Sequence, residues 1–261
     1  MAYIKDEFIF PNSVEIEIKW AGNYGAKGEK RAPRENITPE QIKKQNQWRR
    51  ERDYRRKIKM NFSKGDYWCT LLYPAGTKKE LKEVQKDMSC LIRTLRREYQ
   101  KKEIPFKWIY RIEIGSRGGV HVHLLRNQVR GEPIDMIMQD RWNDITGGRI
   151  HFERFQGDED SARKVADYIT KELTEQQTNK CEELGLTAKD FTKISCSRNL
   201  LKPEHVRKKY SHWTMKKVVD AQMPVARAGY VVDKESVFFG MNPFTGLSYL
   251  YYTEVKGGDD G

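Results

Sequence analysis

The chain is predicted to be an α+β protein built on an antiparallel central sheet of split βαβ topology. Helices pack on one face, a basic helical arm precedes the sheet and a small extension follows it. Two observations carry that expectation. Between Asp66 and Phe155, segments of period-2 alternation and segments with a helical apolar stripe follow one another as strand, helix, strand, strand, helix, strand. The flanks differ in composition: residues 21–60 hold 13 Lys/Arg against 5 Asp/Glu, a net charge of +8.

Taken in order, the segment from Thr38-Pro39-Glu40 onward predicts a helix, with Thr38 as its cap and Pro39 in the first turn. Only Ile42, Trp48, Tyr54 and Ile58 can anchor its inner face, so it is expected to be a basic arm that meets phosphates through Arg49, Arg50, Arg52, Arg55, Arg56 and Lys57. The run 66–73 predicts a strand, closed by the Pro74-Ala75-Gly76 turn. Lys78 to Gln100 predicts a helix with Leu81, Val84, Met88, Leu91, Ile92 and Leu95 as its stripe. Residues 106–114 and 120–126 predict a hairpin, 134–142 a short helix, and 149–155 a strand after the Gly147-Gly148 turn. Beyond Pro203, Glu204 to Val219 predicts a basic amphipathic helix, and residues 229–233, 236–240 and 247–255 predict short strands. The aromatic side chains of that tail, Tyr230, Phe238, Phe239, Tyr249, Tyr251 and Tyr252, suit a small β core better than a stacking platform for bases. Domain boundaries are therefore expected at 1–60, 61–203 and 204–261, the last serving origin recognition or dimerisation.

With 261 residues, a formal charge of +12 and a pI near 9.4, the chain calls for a polyanionic partner, nucleic acid first. Cys69, Cys90, Cys181 and Cys196 show no CxxC spacing, which argues against a zinc ribbon and a disulfide framework. No apolar run approaches the roughly 20 residues needed to span a bilayer, and the N-terminus has no signal-peptide pattern. A cytoplasmic protein with no membrane partner is the expectation.

The chemistry gathers around His121 and His123. Two histidines one residue apart on a strand share a face. With residues 116–118 as a three-residue loop and Gly118 in its left-handed position, Glu113 falls opposite His121 and Arg111 opposite His123. The same register gathers Ile112, Ile114, Val120, Val122 and Leu124 on the other face, whereas a two-residue loop would mix the two sets. Glu113, His121 and His123 then form a donor set that suits Mn²⁺ or Mg²⁺ acting on phosphate oxygens, although Zn²⁺ and Fe²⁺ also accept it. The plainer alternative is two histidines on a solvated sheet face.

A second chemical feature lies on the helix after the sheet, capped by Asp160 or Ser161 and buried through Ala162, Val165, Ala166, Ile169 and Leu173. Tyr168 falls about 120° from the centre of that stripe, and Lys171 lies near the opposite side and within reach of it. A phenol with a pKa of about 10 becomes a nucleophile only where cations stabilise the phenolate. Alone, an exposed YxxK is a weak motif.

Taken together, Asp66-Tyr67-Trp68-Cys69-Thr70-Leu71-Leu72-Tyr73, Gly119-Val120-His121-Val122-His123-Leu124 and Tyr168-Ile169-Thr170-Lys171 resemble motifs I, II and III of the HUH endonucleases. The likeness is strongest to the single-tyrosine rolling-circle replication initiators of bacterial plasmids and bacteriophages, and it covers about residues 40–205. Residues 61–66 and 197–203 also resemble initiators of Gram-positive mobile elements. Motif I departs from the pattern at Trp68-Cys69, where a more aliphatic strand is usual.

The resemblance implies an RRM-like (ferredoxin-like) HUH fold in which Tyr168 attacks a scissile DNA phosphate. The product is a 5′-phosphotyrosine link and a free 3′-hydroxyl. His121, His123 and Glu113 would hold Mn²⁺ or Mg²⁺, Lys171 would position or neutralise, and Arg111 and Arg117 would join the arm in contacting DNA. Single-stranded or supercoiled origin DNA, a host helicase, a host polymerase and a second subunit in a homodimer are the implied partners, in a bacterial cytoplasm. A P-loop is absent, since Gly25 to Lys30 only superficially echoes one, so unwinding falls to the host. A tyrosine transposase or relaxase of the same superfamily would have the same site, and a non-catalytic DNA-binding replication protein is the rival of another class.

Overall fold

Alternation along the strands builds two five-stranded antiparallel sheets among the residues described by the computed structural model, which are 3–20, 38–115, 117–210, 224–242 and 246–257. The chain divides into two compact units. Residues 1–45 and 202–261 form one and 46–201 the other, in place of the expected boundaries after residues 60 and 203. The first division falls inside helix α1 (Pro39–Asn61), whose start is fixed as expected: Thr38 Oγ1 accepts the Gln41 amide, and Gln41 returns the bond to the Thr38 N–H.

In unit 46–201, strands β3 (Tyr67–Leu72), β4 (Trp108–Ile114), β5 (Val120–Arg126), β6 (Arg149–Arg154) and β7 (Ile194–Cys196) lie in the order β6-β3-β5-β4-β7. Helices α2 (Leu81–Lys101) and α3 (Ile134–Thr146) complete the β3-α2-β4-β5-α3-β6 succession, so the unit has the α+β, ferredoxin-like arrangement. The predicted stripe of α2 is buried through Val84, Met88, Leu91, Ile92 and Leu95. It packs with Met138 and Trp142 of α3 on Cys69, Leu71, Ile112, Val122 and Leu124, the face that the hairpin register makes apolar.

The opposite face is not wholly open. Ile58 of α1, Phe62 just beyond its end, and Ala162, Val165, Ala166 and Ile169 of α4 (Glu159–Thr170) pack over Ile109, Leu125 and Phe155. The physical reason is a change of polarity along each strand. On this face β4 presents Ile109, then Arg111, then Glu113, and β5 presents Leu125, then His123, then His121. One end needs covering and the other does not. Helix α5 (Glu175–Glu183) and a 3₁₀ turn at Ala188–Thr192 follow α4. No helix among the described residues is long and apolar enough to cross a membrane.

The other unit joins the two ends of the chain. Strands β1 (Tyr3–Ile9), β2 (Ser13–Trp20), β8 (Glu204–Tyr210), β9 (Tyr230–Asn242) and β10 (Leu247–Lys256) lie in the order β8-β1-β2-β10-β9. Val14, Ile16, Ile18 and Trp20 alternate with Ser13, Glu15, Glu17 and Lys19, a period-2 signal that a reading by charge passes over. Their apolar face packs with Tyr3, Leu250 and Tyr252. Of the tail aromatics, Tyr230 and Tyr252 join this core, whereas Phe238 and Phe239 are exposed.

Residues 204–210 form a strand where a helix was expected, and 211–219 lie outside the described residues. Within 204–210 only Val206 and Tyr210 are apolar, little for a helix to bury. As strand β8 it sets Arg207 opposite Asp6 in the register with β1. Buried Asp6 faces Arg207 Nε at 2.6 Å and Nη2 at 3.0 Å, His205 Nε2 at 2.9 Å and Lys19 Nζ at 3.6 Å. Burial works against its ionisation, but the Arg207 and His205 hydrogen bonds and the Lys19 charge outweigh it and hold the carboxyl below its ordinary range.

A carboxyl whose folded pKa lies below its unfolded value contributes stability at pH values above the unfolded value. That contribution disappears as pH falls through the folded pKa. Asp6→Asn is therefore expected to cost about 1–2 kcal/mol near neutral pH. In thermal unfolding measured from pH 3 to 7, the gap between the variant and the wild type should be full above pH ~5 and close below pH ~4.

Candidate active site

The β4–β5 hairpin adopts the register that its hydrophobic pattern selects. The Gly115 N–H donates to Gly119 O at 2.8 Å, the Gly118 N–H donates to Gly115 O at 2.8 Å, and Gly118 has φ +84°. A Cβ at Gly118 would meet only the flexible end of the Lys180 side chain, so it is the left-handed backbone that favours glycine there. Glu113 pairs with His121 and Arg111 with His123.

Three donor atoms converge as a result. Glu113 Oε2 lies 3.3 Å from His123 Nε2 and 3.7 Å from His121 Nε2, and one donor atom from each of the three residues lies within 4.8 Å of the others. Around an octahedral divalent ion at ~2.1 Å from each donor, neighbouring donors stand about 3 Å apart, so the Glu113–His123 pair is near that spacing and the wider pairs must draw in around an ion. Two nitrogens and a carboxylate oxygen leave further positions for substrate oxygens. The cluster can hold a metal ion.

Helix α4 delivers the phenol. Its cap is Asp158, one turn ahead of the stripe, rather than the expected Asp160 or Ser161; the Asp158 side chain accepts the Ser161 amide at 2.7 Å. The helix ends at Thr170, so Lys171 is its C-cap residue with extended backbone, φ −50° and ψ 146°. Half-buried Tyr168 places Oη 3.0 Å from His123 Nε2 and donates to Glu113 Oε2 at 3.1 Å. Lys171 Nζ reaches Glu113 Oε1 at 3.0 Å and stands 3.8 Å from the centre of the Tyr168 ring.

Three neighbours of the site escape a reading of the sequence. Trp68 stacks on the His123 ring at 5.5 Å and meets Tyr168 edge-on, so it builds a wall of the site. Thr70 Oγ1 sits 3.3 Å from His123 Nδ1 and orients the ring from behind. Gln177 Nε2 donates to Glu113 Oε1 at 3.0 Å. Its sequence signal is the Thr174-Glu175-Gln176-Gln177 spacing of a capping box, which announces a helix start and not a site.

The environments of these groups oppose one another. Burial alone would raise the Glu113 pKa, but hydrogen bonds from His121, His123, Lys171 and Gln177 prevail and hold the carboxyl far below its usual range. Burial lowers the His123 pKa, with the charges of His121 and Lys171 adding to it against Glu113. A neutral imidazole is the form that binds metal. For Tyr168, burial and then the Glu113 charge push the phenol pKa up, so the hydroxyl is held protonated beside the carboxylate.

The cations expected to face DNA divide. Arg49 and Arg117 are exposed, and Arg52, Arg55 and Lys57 are partly so. Arg52 lies over the Trp48 ring, Arg55 is 3.9 Å from Glu51, and Lys57 lies over the Tyr54 ring. Arg50 Nη2 donates to the Thr192 carbonyl. Arg56 is buried on α1 and is not a surface contact. Arg111 corrects the expectation most sharply: it is 0% exposed, and its guanidinium donates to the carbonyls of Phe191 (3.1 Å), Ile169 (3.2 Å), Tyr168 (3.5 Å) and Lys171 (2.5 Å). Opposite His123 in register, it is taken up in closing the C-terminal end of α4.

Two clefts flank the cluster. One of about 290 Å³ opens beside Tyr168 between Trp68, Arg154 and Lys164, and one of about 300 Å³ opens beside His121 between Leu72, Tyr73 and Arg117.

Residues 66–173 match a family model for replication-associated proteins of the ORF2 type. The matched stretch runs from the residue before β3 to just beyond Lys171, so it contains Glu113, His121, His123, Tyr168 and Lys171. The similarity supports a role in the initiation of replication. No curated protein matches the chain, and no solved structure matches it.

Arg111→Met tests whether the guanidinium closes the helix or meets DNA. It leaves buried carbonyls unpaired and should cost about 2–3 kcal/mol in denaturant unfolding. The slope of log K against log salt for DNA binding should stay unchanged. A changed slope with intact stability would assign Arg111 to the DNA surface.

Proposed function

We propose that the chain is a metal-dependent, sequence-specific DNA nicking and joining enzyme that initiates rolling-circle replication. The observation that carries this reading is the convergence on Glu113 of a phenol, a lysine ammonium and two imidazoles, with the phenol and the ammonium each in hydrogen-bonding distance of the carboxylate. Those are the groups needed for transesterification at phosphorus, and they fall inside the stretch similar to a replication-associated family.

In the proposed step Tyr168 Oη forms a bond to the scissile phosphorus as the bond to the 3′ oxygen breaks. The phenol gives up its proton, for which Glu113 Oε2 and His123 Nε2 stand in reach, and the departing oxygen takes up a proton to become a 3′-hydroxyl. The phosphate diester persists as a phosphotyrosine, so a later 3′-hydroxyl can reverse the step and join ends. Glu113, His121 and His123 would hold Mn²⁺ or Mg²⁺, which would supply positive charge to the phosphate oxygens and to the phenolate. Lys171 contributes a second positive charge on the ring side of the nucleophile.

The clefts beside Tyr168 and His121 give a single strand room on either side of the scissile phosphate. Arg49, Arg52, Arg55, Lys57 and Arg117 supply non-specific attraction to its backbone. A single-stranded or supercoiled origin is the substrate this reading requires. On this reading a host helicase and polymerase act downstream of the free 3′ end. With one tyrosine on α4, a second cleavage calls for a second subunit or another nucleophile.

Incubation with plasmid or phage single strands and Mn²⁺ should give a covalent protein–DNA adduct that maps to Tyr168 by mass spectrometry. Tyr168→Phe should fold within about 1 kcal/mol of the wild type, bind DNA and Mn²⁺, and form no adduct. His121→Ala and His123→Ala should abolish metal-dependent cleavage while DNA affinity stays within a few-fold, and Lys171→Ala should slow it by an intermediate amount. Mn²⁺-dependent nicking by the double histidine variant, or an adduct at another tyrosine such as Tyr73 or Tyr210, would overturn the assignment.

A further inference from the structure

Gln177 meets the site from α5, beyond the stretch that resembles the replication-associated family. The residue is buried, and both ends of its amide are committed. Its Oε1 accepts the Thr174 N–H at 2.9 Å, completing the capping box in which Thr174 Oγ1 accepts the Gln177 amide at 3.3 Å. Its Nε2 donates to Glu113 Oε1 at 3.0 Å and to the Ile114 carbonyl at 2.7 Å. An amide's oxygen and nitrogen are interchangeable in shape, but here only one orientation satisfies the chemistry. The Thr174 N–H demands an acceptor, while the Ile114 carbonyl and the Glu113 carboxylate demand donors. The helix cap thus fixes which end of Gln177 faces the carboxylate.

The consequence falls on Glu113. Its two oxygens are sorted into separate duties: Oε1 is taken by Gln177 and Lys171, whereas Oε2 faces His121, His123 and Tyr168. We propose that Gln177 is a positioning residue that holds Glu113 as a one-oxygen ligand, presenting Oε2 alone to a divalent ion. This inference rests on the reading of Glu113, His121 and His123 as a metal site. Without the Gln177 donor, the carboxylate can rotate about its last bond and exchange its oxygens, and the donor set loses the spacing that suits the ion. Lys171 cannot substitute for it, because a flexible ammonium with a single bond to Oε1 leaves that rotation free.

Gln177→Met tests this by keeping the side chain's length and volume while removing both donor and acceptor. Thr174→Ala is the matched control, because it breaks the same cap from the other side and leaves the Gln177–Glu113 bond in place. Mn²⁺ binding to the full chain, read from the free-ion signal in electron paramagnetic resonance, should weaken about 10- to 100-fold in Gln177→Met and by no more than 2- to 3-fold in Thr174→Ala. Thermal unfolding should show the larger loss for Gln177→Met, which removes three hydrogen bonds against one. Cleavage by Gln177→Met should recover toward the wild-type rate at saturating Mn²⁺, since the defect lies in holding the ion.

Equal Mn²⁺ affinity in Gln177→Met and the wild type would overturn the proposal and leave the metal site standing. Equal weakening by both variants would also overturn it, because the effect would then belong to the placement of α5. A wild-type chain that binds no Mn²⁺ would overturn the metal site itself, and this inference with it.

Discussion

The Arg111 guanidinium is the tie on which the site depends. Strand β4 carries Glu113, the end of α4 carries Tyr168 and Lys171, and Arg111 joins the two by donating to carbonyls at the end of that helix and to the Phe191 carbonyl beyond it. A helix ends with carbonyls that lack partners inside it, and here they are buried, so an internal donor must satisfy them. A buried arginine also needs compensating charge, which Glu113, two residues along the same strand and on the same face, provides. The carboxylate is thereby held between a buried guanidinium and the Lys171 ammonium. The placement of the nucleophile and the charge of the ligand have a common cause.

That arrangement explains why one sheet face can be both core and site. Along β4 and β5 the same face changes from Ile109 and Leu125, covered by α1 and α4, to Glu113 and His121 at the polar end. Apolar burial beneath α4 anchors the helix, and the polar end receives the side chains that the helix carries past its own stripe. Tyr168 is half-buried because it sits at this transition. Its ring packs against Trp68 and His123 while its hydroxyl points into the polar cluster.

The parts of this structure that are legible in sequence are those set by local periodicity. The hairpin register follows from a period of two and from Gly118, and its pairing of Glu113 with His121 needs no knowledge of the rest of the chain. The stripe of α2 and the order of the central strands follow in the same way. What fails has a physical reason in each case. A lysine- and arginine-rich segment such as residues 204–210 suggests a basic helix until Asp6, some two hundred positions away, is known to lie opposite Arg207. Arg111 looks like a phosphate contact because its actual partners are backbone carbonyls, which no residue type advertises. Gln177 is legible as a helix-start signal, yet its other nitrogen-bearing end meets Glu113 only through the path of the chain around α4.

The electrostatics of the cluster bear on why a chain with an exposed cleft at a tyrosine would not react indiscriminately. In the structure the phenol donates to Glu113 Oε2 and lies against His123 Nε2, the two atoms most central to the donor set. Burial and the Glu113 charge both hold it protonated, which is the unreactive form. Tyr168 and a ligand of the donor set therefore compete for the same two atoms. Whatever occupies them with positive charge also cancels the negative charge that keeps the phenol neutral. On the proposed reading, loading the site and arming the nucleophile are linked through Glu113, and the linkage needs no moving part. One carboxylate, fixed at Oε1 by Lys171 and Gln177 and free to bind at Oε2, is enough to couple them.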